Sequence, residues 1–568
     1  MRLLAFCAFG LVTAAFAAPT RTPVKEITVF KDGHAFVLHE GRMPVSENGS
    51  VALDDLPTPV LGTFWTWSNE PSAKLNSVTA GQRRVSVSST ALTVRDLIEA
   101  NPGAEVTVTE TGGAKYEARI VGIPFRSPEE LQAADPAKPG LLLPVKAGIV
   151  LLKTESGEMA VPLDHIQAVT FKGEHKPALA DDQVRNRLVL RLDWSGQPAR
   201  EANIGMMYVQ KGLRWIPGYR VDVDGNGRAA VKFQATLVNE LIDLNDVTAN
   251  LVVGVPTFAM AGNVDPMALQ NSAAQLGQYF DRDSRFNAFS NGIQSQVAGY
   301  YSYSNASGRP AAASDLGPEV TGSDKKEDFF IFTVRHVTLK RGERMVIPVA
   351  EYSLKYRDVY TVDIPFAPPP EVRNNYASIG QEQIARLAAG PKAEHKIRIT
   401  NGKDHPFTTA PALIVSGGRV LGQGLMTYTP AGGEVDLPVT TAVDISVRKS
   451  EKETGRASNS ARWNNEDYGR VDLAGAISLV NHKDKAVAVE VTRNVLGNVD
   501  AADHGGEVRM LNLLEDPDAL PEGGGWWYNY NWPYWWHHFN GIGRVSWKLT
   551  LEPGGKADLG YGWHYFWR

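Results

Sequence analysis

Residues 212–256 read GLRWIPGYRVDVDGNGRAAVKFQATLVNELIDLNDVTANLVVGVP, and this stretch decides the fold class. Apolar and polar residues alternate within it at 219–223, 229–239 and 247–253. Alternation with a period of two is typical of strands that bury one face. The intervening DGNG supplies glycine and asparagine for the positive φ angles of a tight hairpin turn. The stretch therefore predicts antiparallel strands.

The same alternation, broken by turn residues at short intervals, recurs along most of the 568 residues. We therefore predict an all-β, multidomain protein of β-sandwiches with an inserted small barrel and few short helices. The predicted segments are an N-terminal β domain at 24–88, an SH3-like or Sm-like barrel at 90–173, a β-sandwich at 180–365, a β domain at 391–449 and a C-terminal β domain at 468–568.

Two segments depart from the strand pattern. Residues 259–326 are rich in Ala, Ser, Asn, Gln and Gly and show no sustained period, so we predict a disordered insertion in the sandwich. The polar residues 450–460 fit either a linker or an exposed hairpin arm. In the predicted barrel, Thr93 begins a short helix, and residues 127–130 (SPEE) form a capping box with proline at the first helical position.

The N-terminus has the pattern of a secretory signal peptide at 1–17. Arg2 precedes an apolar run at 3–16, and Ala15-Phe16-Ala17 is a small-residue cleavage site. We therefore expect an exported protein that is periplasmic, at the cell surface or secreted. Cys7 is the only cysteine, so cleavage would leave a chain without disulfides, thiolate nucleophiles or Cys-ligated zinc. No later apolar run is long enough for a transmembrane segment.

The net charge of −5 gives no reason to expect nucleic acid as a partner. The GxSxG, HExxH and Walker A motifs are absent, so we predict no catalytic residues and no cofactor. We also predict no metal site. Residues 222–227 (DVDGNG) imitate the start of a calcium loop, but Phe233 occupies position twelve, where the bidentate glutamate is required. The adjacent His537 and His538 would point to opposite faces of a strand. Nothing in the sequence specifies an oligomeric state.

The most distinctive feature is the aromatic segment, residues 526–538 (WWYNYNWPYWWHH), which follows three glycines. In an extended strand its first half would place four rings on one face, and Pro533 would end regular pairing before a second aromatic turn. We consider three interpretations: rings buried on the protein's own core, a platform for envelope polysaccharide or a protein partner, and a wedge at a membrane surface. The candidate platform residues are Trp526, Tyr528, Tyr530, Trp532, Trp535 and Trp536.

Several stretches resemble a known family. ITVFKDGHAFVLHEG with LDDLPTPVLGTFW resembles the N-terminal part of mucoidy-inhibitor-A-like proteins. The W-x-P-x-Y run of Trp215, Pro217 and Tyr219, followed by Asn239 and DVTANLVVGVP, resembles the bacterial domain of unknown function 4139 (DUF4139). The resemblance implies an exported or envelope-associated β-sandwich protein and supplies no catalytic residues. Segment 90–173 stands where family members commonly carry a coiled coil.

These observations together favour an exported cell-envelope protein that acts by binding or assembly. The alternative is a hydrolase of cell-envelope carbohydrate, which would need two carboxylates facing each other in a cleft beside the aromatic segment.

Overall fold

The computed structural model describes residues 21–135, 142–254, 256, 258–269, 330–367, 369, 390–402, 406–512 and 532–568. These residues form thirty strands and three short α-helices, so the predicted all-β class is confirmed. The predicted signal peptide lies outside the described residues. Within the described part of the chain, no helix is long and apolar enough to cross a membrane. The helices are α1 (Val94–Ala100), α2 (Pro128–Ala134) and α3 (Trp536–Phe539).

The strands follow one another at short intervals. The first fourteen are β1 (Val24–Val29), β2 (His34–Pro44), β3 (Ser50–Leu53), β4 (Trp65–Ser68), β5 (Ala73–Thr90), β6 (Glu105–Glu110), β7 (Lys115–Gly122), β8 (Phe125–Arg126), β9 (Val145–Lys146), β10 (Ile149–Thr154), β11 (Gly157–Pro162), β12 (Ile166–Phe171), β13 (Ala178–Trp194) and β14 (Glu201–Lys211). The remainder are β15 (Leu213–Val223), β16 (Arg228–Asn239), β17 (Leu244–Val253), β18 (Phe330–Leu339), β19 (Arg344–Ile364), β20 (Glu394–Thr400), β21 (Ala410–Ser416), β22 (Arg419–Met426), β23 (Glu434–Thr441), β24 (Ile445–Trp463), β25 (Glu466–Asn481), β26 (Val487–Leu496), β27 (Asn498–Ala502), β28 (Glu507–Leu511), β29 (Ile542–Leu551) and β30 (Lys556–Trp567).

The described residues form two compact units. Unit 1 takes its residues from 1–214, 239–317 and 331–343, and unit 2 from 215–238, 318–330 and 344–568. Unit 1 contains a six-stranded sheet in the order β18-β17-β1-β2-β14-β4 and a three-stranded sheet in the order β3-β13-β5. Its first strand, β1, is central, because it pairs antiparallel with β2 and parallel with β17.

A five-stranded sheet in the order β11-β10-β7-β6-β12 lies between β5 and β13 in the chain. The segment that leads from β5 into this sheet and the segment that leads from the sheet to β13 are joined by a hydrogen bond, in which Ala91 N donates to Pro177 O at 2.9 Å. Apolar residues of alternate positions, with Ile98 of α1, form its core. The capping box predicted at Ser127 is present, and Thr93, which was predicted to begin a helix, forms a second one with Asp96. Closure into an SH3-like barrel stays a prediction, because within the described residues β11 and β12 are the two unjoined edges of the sheet.

The disordered insertion was predicted to start at residue 259, but residues 258–269 have a defined structure. Val264 forms an antiparallel bridge with Val60, and Asp265 N donates to Pro59 O at 2.8 Å. The Asp265 side chain also accepts from Met267 N at 3.0 Å and caps a short 3-10 turn. These hydrogen bonds fix the start of the segment in unit 1. The rest of the predicted insertion lies outside the described residues.

Unit 2 contains a ten-stranded sheet whose main path is β22-β21-β15-β16-β19-β26-β29-β28. Strands β20 and β23 extend from β19, and a four-stranded sheet runs β24-β25-β30-β27. Because β19 pairs with both β20 and β26, the predicted segments 180–365, 391–449 and 468–568 share one sheet instead of forming separate sheets. The polar residues 450–460 belong to β24, so the hairpin arm is the correct one of the two interpretations.

The DGNG run forms the predicted hairpin turn between β15 and β16. The Asp224 carboxylate accepts from Asn226 N at 2.7 Å and from Arg228 N at 3.0 Å. Gly225 and Gly227 adopt positive φ angles of 78° and 85°. The aspartate therefore stabilises the turn through backbone amides.

Candidate functional site

The structure describes three of the six candidate platform residues. Trp526, Tyr528 and Tyr530 lie outside the described residues. The chain is described again from Trp532, and Trp536 N donates to Pro533 O at 2.9 Å to close a turn that leads into α3. The second half of the aromatic segment is therefore a turn and a short helix, as Pro533 suggested.

Trp535 and Trp536 are buried in the core of unit 2, with 5% and 1% of their surfaces exposed. The Trp535 ring lies 5.1 Å from Tyr468 and 5.6 Å from Trp567. The Trp536 ring contacts the same Trp567 edge-on at 5.7 Å. These two rings therefore pack on the protein's own core, which is the first of the three interpretations. They anchor the segment to β25 and β30.

Trp532 lies between this core and the surface. It is half-buried, and its ring centroid is 4.6 Å from that of Trp536 at an interplanar angle of 30°. The contact holds Trp532 against the first residue of α3. Offset aromatic pairs of this kind stabilise by about 0.5–1.5 kcal/mol beyond the area that they bury.

Three further rings form an exposed rim above these anchors. Tyr534 is 66% exposed, and His538 is also exposed. The half-buried Trp463 joins them: its ring stacks on His538 at 4.5 Å and 17° and lies 5.5 Å from Tyr534. We call Trp463, Tyr534 and His538 the aromatic rim. It presents aromatic surface to solvent from a rigid base.

Trp463 is the functional candidate that our sequence analysis missed. It occupies the tip of the β24–β25 hairpin, where Asn464 and Asn465 form a two-residue turn with φ angles of 50° and 60°. Two successive positive φ angles define a type I′ turn, which asparagine tolerates. The sequence signal for this hairpin tip is the Trp-Asn-Asn-Glu run at 463–466, which lies between two strand-like stretches.

One group among the described residues has the spacing of metal ligands, namely Asp472, Asp500 and His564. Their ligand atoms lie within 4.8 Å of one another. Arg470 donates to Asp472 at 2.7 Å and to Asp500 at 3.3 Å, and His564 Nδ1 lies 2.8 Å from Asp500. The guanidinium thus already contacts both carboxylates that a cation would need and offsets one of their two charges. His537, whose pKa is lowered by burial, and His538 do not belong to this group.

A buried ion pair joins strands β24 and β26 of unit 2. Arg493, with 2% of its side chain exposed, donates to Glu451 at 2.7 Å. Tyr561 and Trp563 also donate to the same carboxylate, at 2.7 and 3.3 Å. Burial alone would raise the pKa of Glu451, but the charges of Arg493 and Lys449 and the hydrogen bonds outweigh it and lower the pKa to about 2. This carboxylate is ionised and satisfied, so its role is structural.

Comparison with known protein families and with characterised proteins found no match to this chain. The resemblance to DUF4139 and mucoidy-inhibitor-A-like proteins therefore stays a prediction.

Proposed function

We propose that this chain is an exported, non-catalytic binding or assembly protein of the cell envelope, which presents its aromatic segment to polysaccharide or to a protein partner. The observation that carries the proposal is the aromatic rim. Tyr534 remains 66% exposed although its immediate neighbours Trp535 and Trp536 are buried. Aromatic side chains held at the surface by buried anchors are typical of interaction sites, since rigid rings lose little entropy on binding.

Three carboxylates of unit 2, those of Glu451, Asp472 and Asp500, are bound by arginines, which supports binding over hydrolysis. A glycosidase needs one carboxyl group with a raised pKa opposite a second, free carboxylate. Glu451 has a lowered pKa and accepts from Arg493, Tyr561 and Trp563, while Asp472 and Asp500 share Arg470. These three carboxylates are therefore engaged in charge-assisted hydrogen bonds, and none of the three is free to act as a general acid.

We infer that the five-stranded sheet closes into an SH3-like barrel and acts as an appended interaction or spacer module. The strand order β11-β10-β7-β6-β12, the preceding helix α1 and the 3-10 turn Leu163–His165 before β12 support this inference. Lys146 of β9 binds Glu99 at 2.6 Å and Asp181 at 2.8 Å, which joins the module to β13.

The binding proposal is tested with two single variants of the full chain, Tyr534→Ala and Trp463→Ala. We expect both to lose retention on insoluble cell-wall polysaccharide, while the thermal midpoint of Tyr534→Ala stays close to that of the parent. The control is Val420→Ala, because Val420 is 64% exposed on β22, also in unit 2. Unchanged retention by both rim variants would refute a polysaccharide partner at the rim, and pull-down with envelope extract would then test the protein partner.

The location is tested separately. Cell fractionation should find the chain in the periplasm, at the surface or in the medium, and N-terminal sequencing should start at Ala18. A chain that keeps Met1 and stays in the cytoplasm would refute the exported role.

A further inference from the structure

A second aromatic surface lies on the outer face of the six-stranded sheet of unit 1. Strand β4 pairs with β14, and the register places Trp65 opposite Met207 and Trp67 opposite Gly205. Residues two apart in a strand point to the same face. The alternate positions of β14, Ile204 and Met206, are buried on the other face. Both indoles therefore lie on the side of the sheet away from the core.

Trp67 lies flat on the sheet because position 205 has no side chain. A Cβ atom built on Gly205 would overlap Cε2, Cζ2 and Nε1 of the Trp67 indole. Gly205 is buried beneath the ring, whereas Trp67 itself is only half-buried. One face of the indole thus covers the strand, and the opposite face remains accessible. A glycine at the centre of a strand costs stability, so its presence here has a packing reason.

Trp65 extends this surface along the strand. It is 62% exposed, and two residues of strand rise place it about 7 Å from Trp67. Exposed tryptophans next to one another are unusual on a soluble surface unless a partner covers them. Two indoles at this spacing on one face can each stack on one ring of a polysaccharide chain.

Polar groups border the surface at one side. Glu40 is opposite Gly205 in the register of β2 and β14, in the same row as Trp67. Its carboxylate accepts from Asn69 Nδ2 at 2.8 Å and forms an ion pair with Lys25, whose side chain is 61% exposed. The border therefore carries donors and an acceptor but no net charge.

This combination selects one class of ligand. A pyranose ring has an apolar C–H face that stacks on a flat indole, and equatorial hydroxyls that need donors and acceptors at the edge. The neutralised Lys25–Glu40 pair favours an uncharged sugar over an anionic one. A membrane surface fits less well, since the neutral border offers no net positive charge to attract anionic lipid.

We propose that Trp65 and Trp67 form a stacking site for the pyranose rings of an uncharged polysaccharide, with Asn69, Glu40 and Lys25 as hydrogen-bonding groups. The site belongs to unit 1, and it does not depend on the function proposed for the aromatic rim of unit 2.

The test uses the full chain in isothermal titration calorimetry with cellohexaose and chitohexaose as probes. We expect the wild type to bind at least one probe, and Trp65→Ala and Trp67→Ala each to weaken that binding by about tenfold or more. Phe125→Ala is the matched control, because Phe125 is 63% exposed in the same unit. Trp65→Ala removes an exposed ring, so its folded state should match that of the wild type by circular dichroism.

Three results would overturn the proposal: no heat of binding with either probe, unchanged affinity in Trp65→Ala, or an equal loss in Phe125→Ala. Tyr534→Ala separates the two surfaces, because it should leave binding at the Trp65–Trp67 site unchanged. Loss of binding in Tyr534→Ala alone would assign the sugar to the aromatic rim and refute the site in unit 1.

Discussion

Replacing Glu451 by glutamine removes the negative charge from the buried ion pair of unit 2 and keeps the shape of the side chain. Arg493 stays charged, and its remaining partners are neutral: Tyr561 OH at 3.0 Å and the carbonyls of Pro365 and Asn494, both at 2.6 Å. We expect a large loss of stability, because a buried guanidinium without its counter-ion is costly.

Two physical arguments give a similar magnitude. Removal of one partner from a buried ion pair typically costs about 3–5 kcal/mol. Lowering the pKa of Glu451 from 4.5 to about 2 corresponds to ~3 kcal/mol of interaction with the ionised form. We therefore expect Glu451→Gln to lower the free energy of unfolding by about 3 kcal/mol at pH 7.

The pH dependence follows from the direction of the pKa change. The pKa of Glu451 is lower in the folded chain than its ordinary value of 4.5, so the unfolded chain takes up the proton first as the pH falls. The stabilisation is complete above about pH 4.5 and is lost as the pH falls towards 2. The difference between wild type and Glu451→Gln should shrink over the same range.

Urea-induced unfolding at pH 7 and at pH 3, followed by near-UV circular dichroism, measures both effects. Glu453→Gln is the control, because Glu453 is on the same strand but its partner Arg456 is exposed; its unfolding midpoint should not change. The double variant with Glu451→Leu and Arg493→Met should be more stable than Glu451→Gln, since no charge stays buried. A loss below ~1 kcal/mol at pH 7 in Glu451→Gln would refute this reasoning.

The remaining predictions concern a buried histidine and the aromatic segment. Burial lowers the pKa of His39, whose Nδ1 donates to Thr22 O at 2.8 Å and whose Nε2 accepts from Tyr208 OH at 3.0 Å. The unfolded chain therefore binds the proton more tightly, so stability should fall below about pH 6.5, and thermal midpoints of His39→Gln should depend less on pH in that range. Trp536→Ala should cost about 3–5 kcal/mol in chemical unfolding, because it removes a ring from the core. Tyr534→Ala should change stability by less than about 0.5 kcal/mol in the same assay; a larger loss would mean that its exposed ring supports the fold.

The fold class was predictable because the alternation of apolar and polar residues depends only on residues that are close together in the sequence. The alternation at 229–239 falls within β16, and the capping box at Ser127 could be located from four residues. The sharing of one sheet by distant segments was not predictable, because the register between β19 and β26 depends on packing that no local pattern records.

The site was predictable only in part, for a similar reason. The sequence identified the aromatic segment, but which rings are buried depends on Tyr468 and Trp567, which are distant in the chain. Glu451 lies in a run of charged residues that is typical of an exposed strand, and only its contact with Arg493 shows that it is buried. Trp67 lies in the predicted N-terminal β domain, but the glycine beneath it belongs to β14, which is distant in the chain.

The position of β1 has a consequence for biosynthesis. In a chain that is passed N-terminus first, β1 emerges well before one of its two neighbours, β17, because fifteen other strands lie between them. Until then one side of β1 offers unpaired amide and carbonyl groups, which invite intermolecular pairing. Such long-range closure is slow. This edge of β1 therefore stays open to intermolecular pairing until residue 253 has emerged.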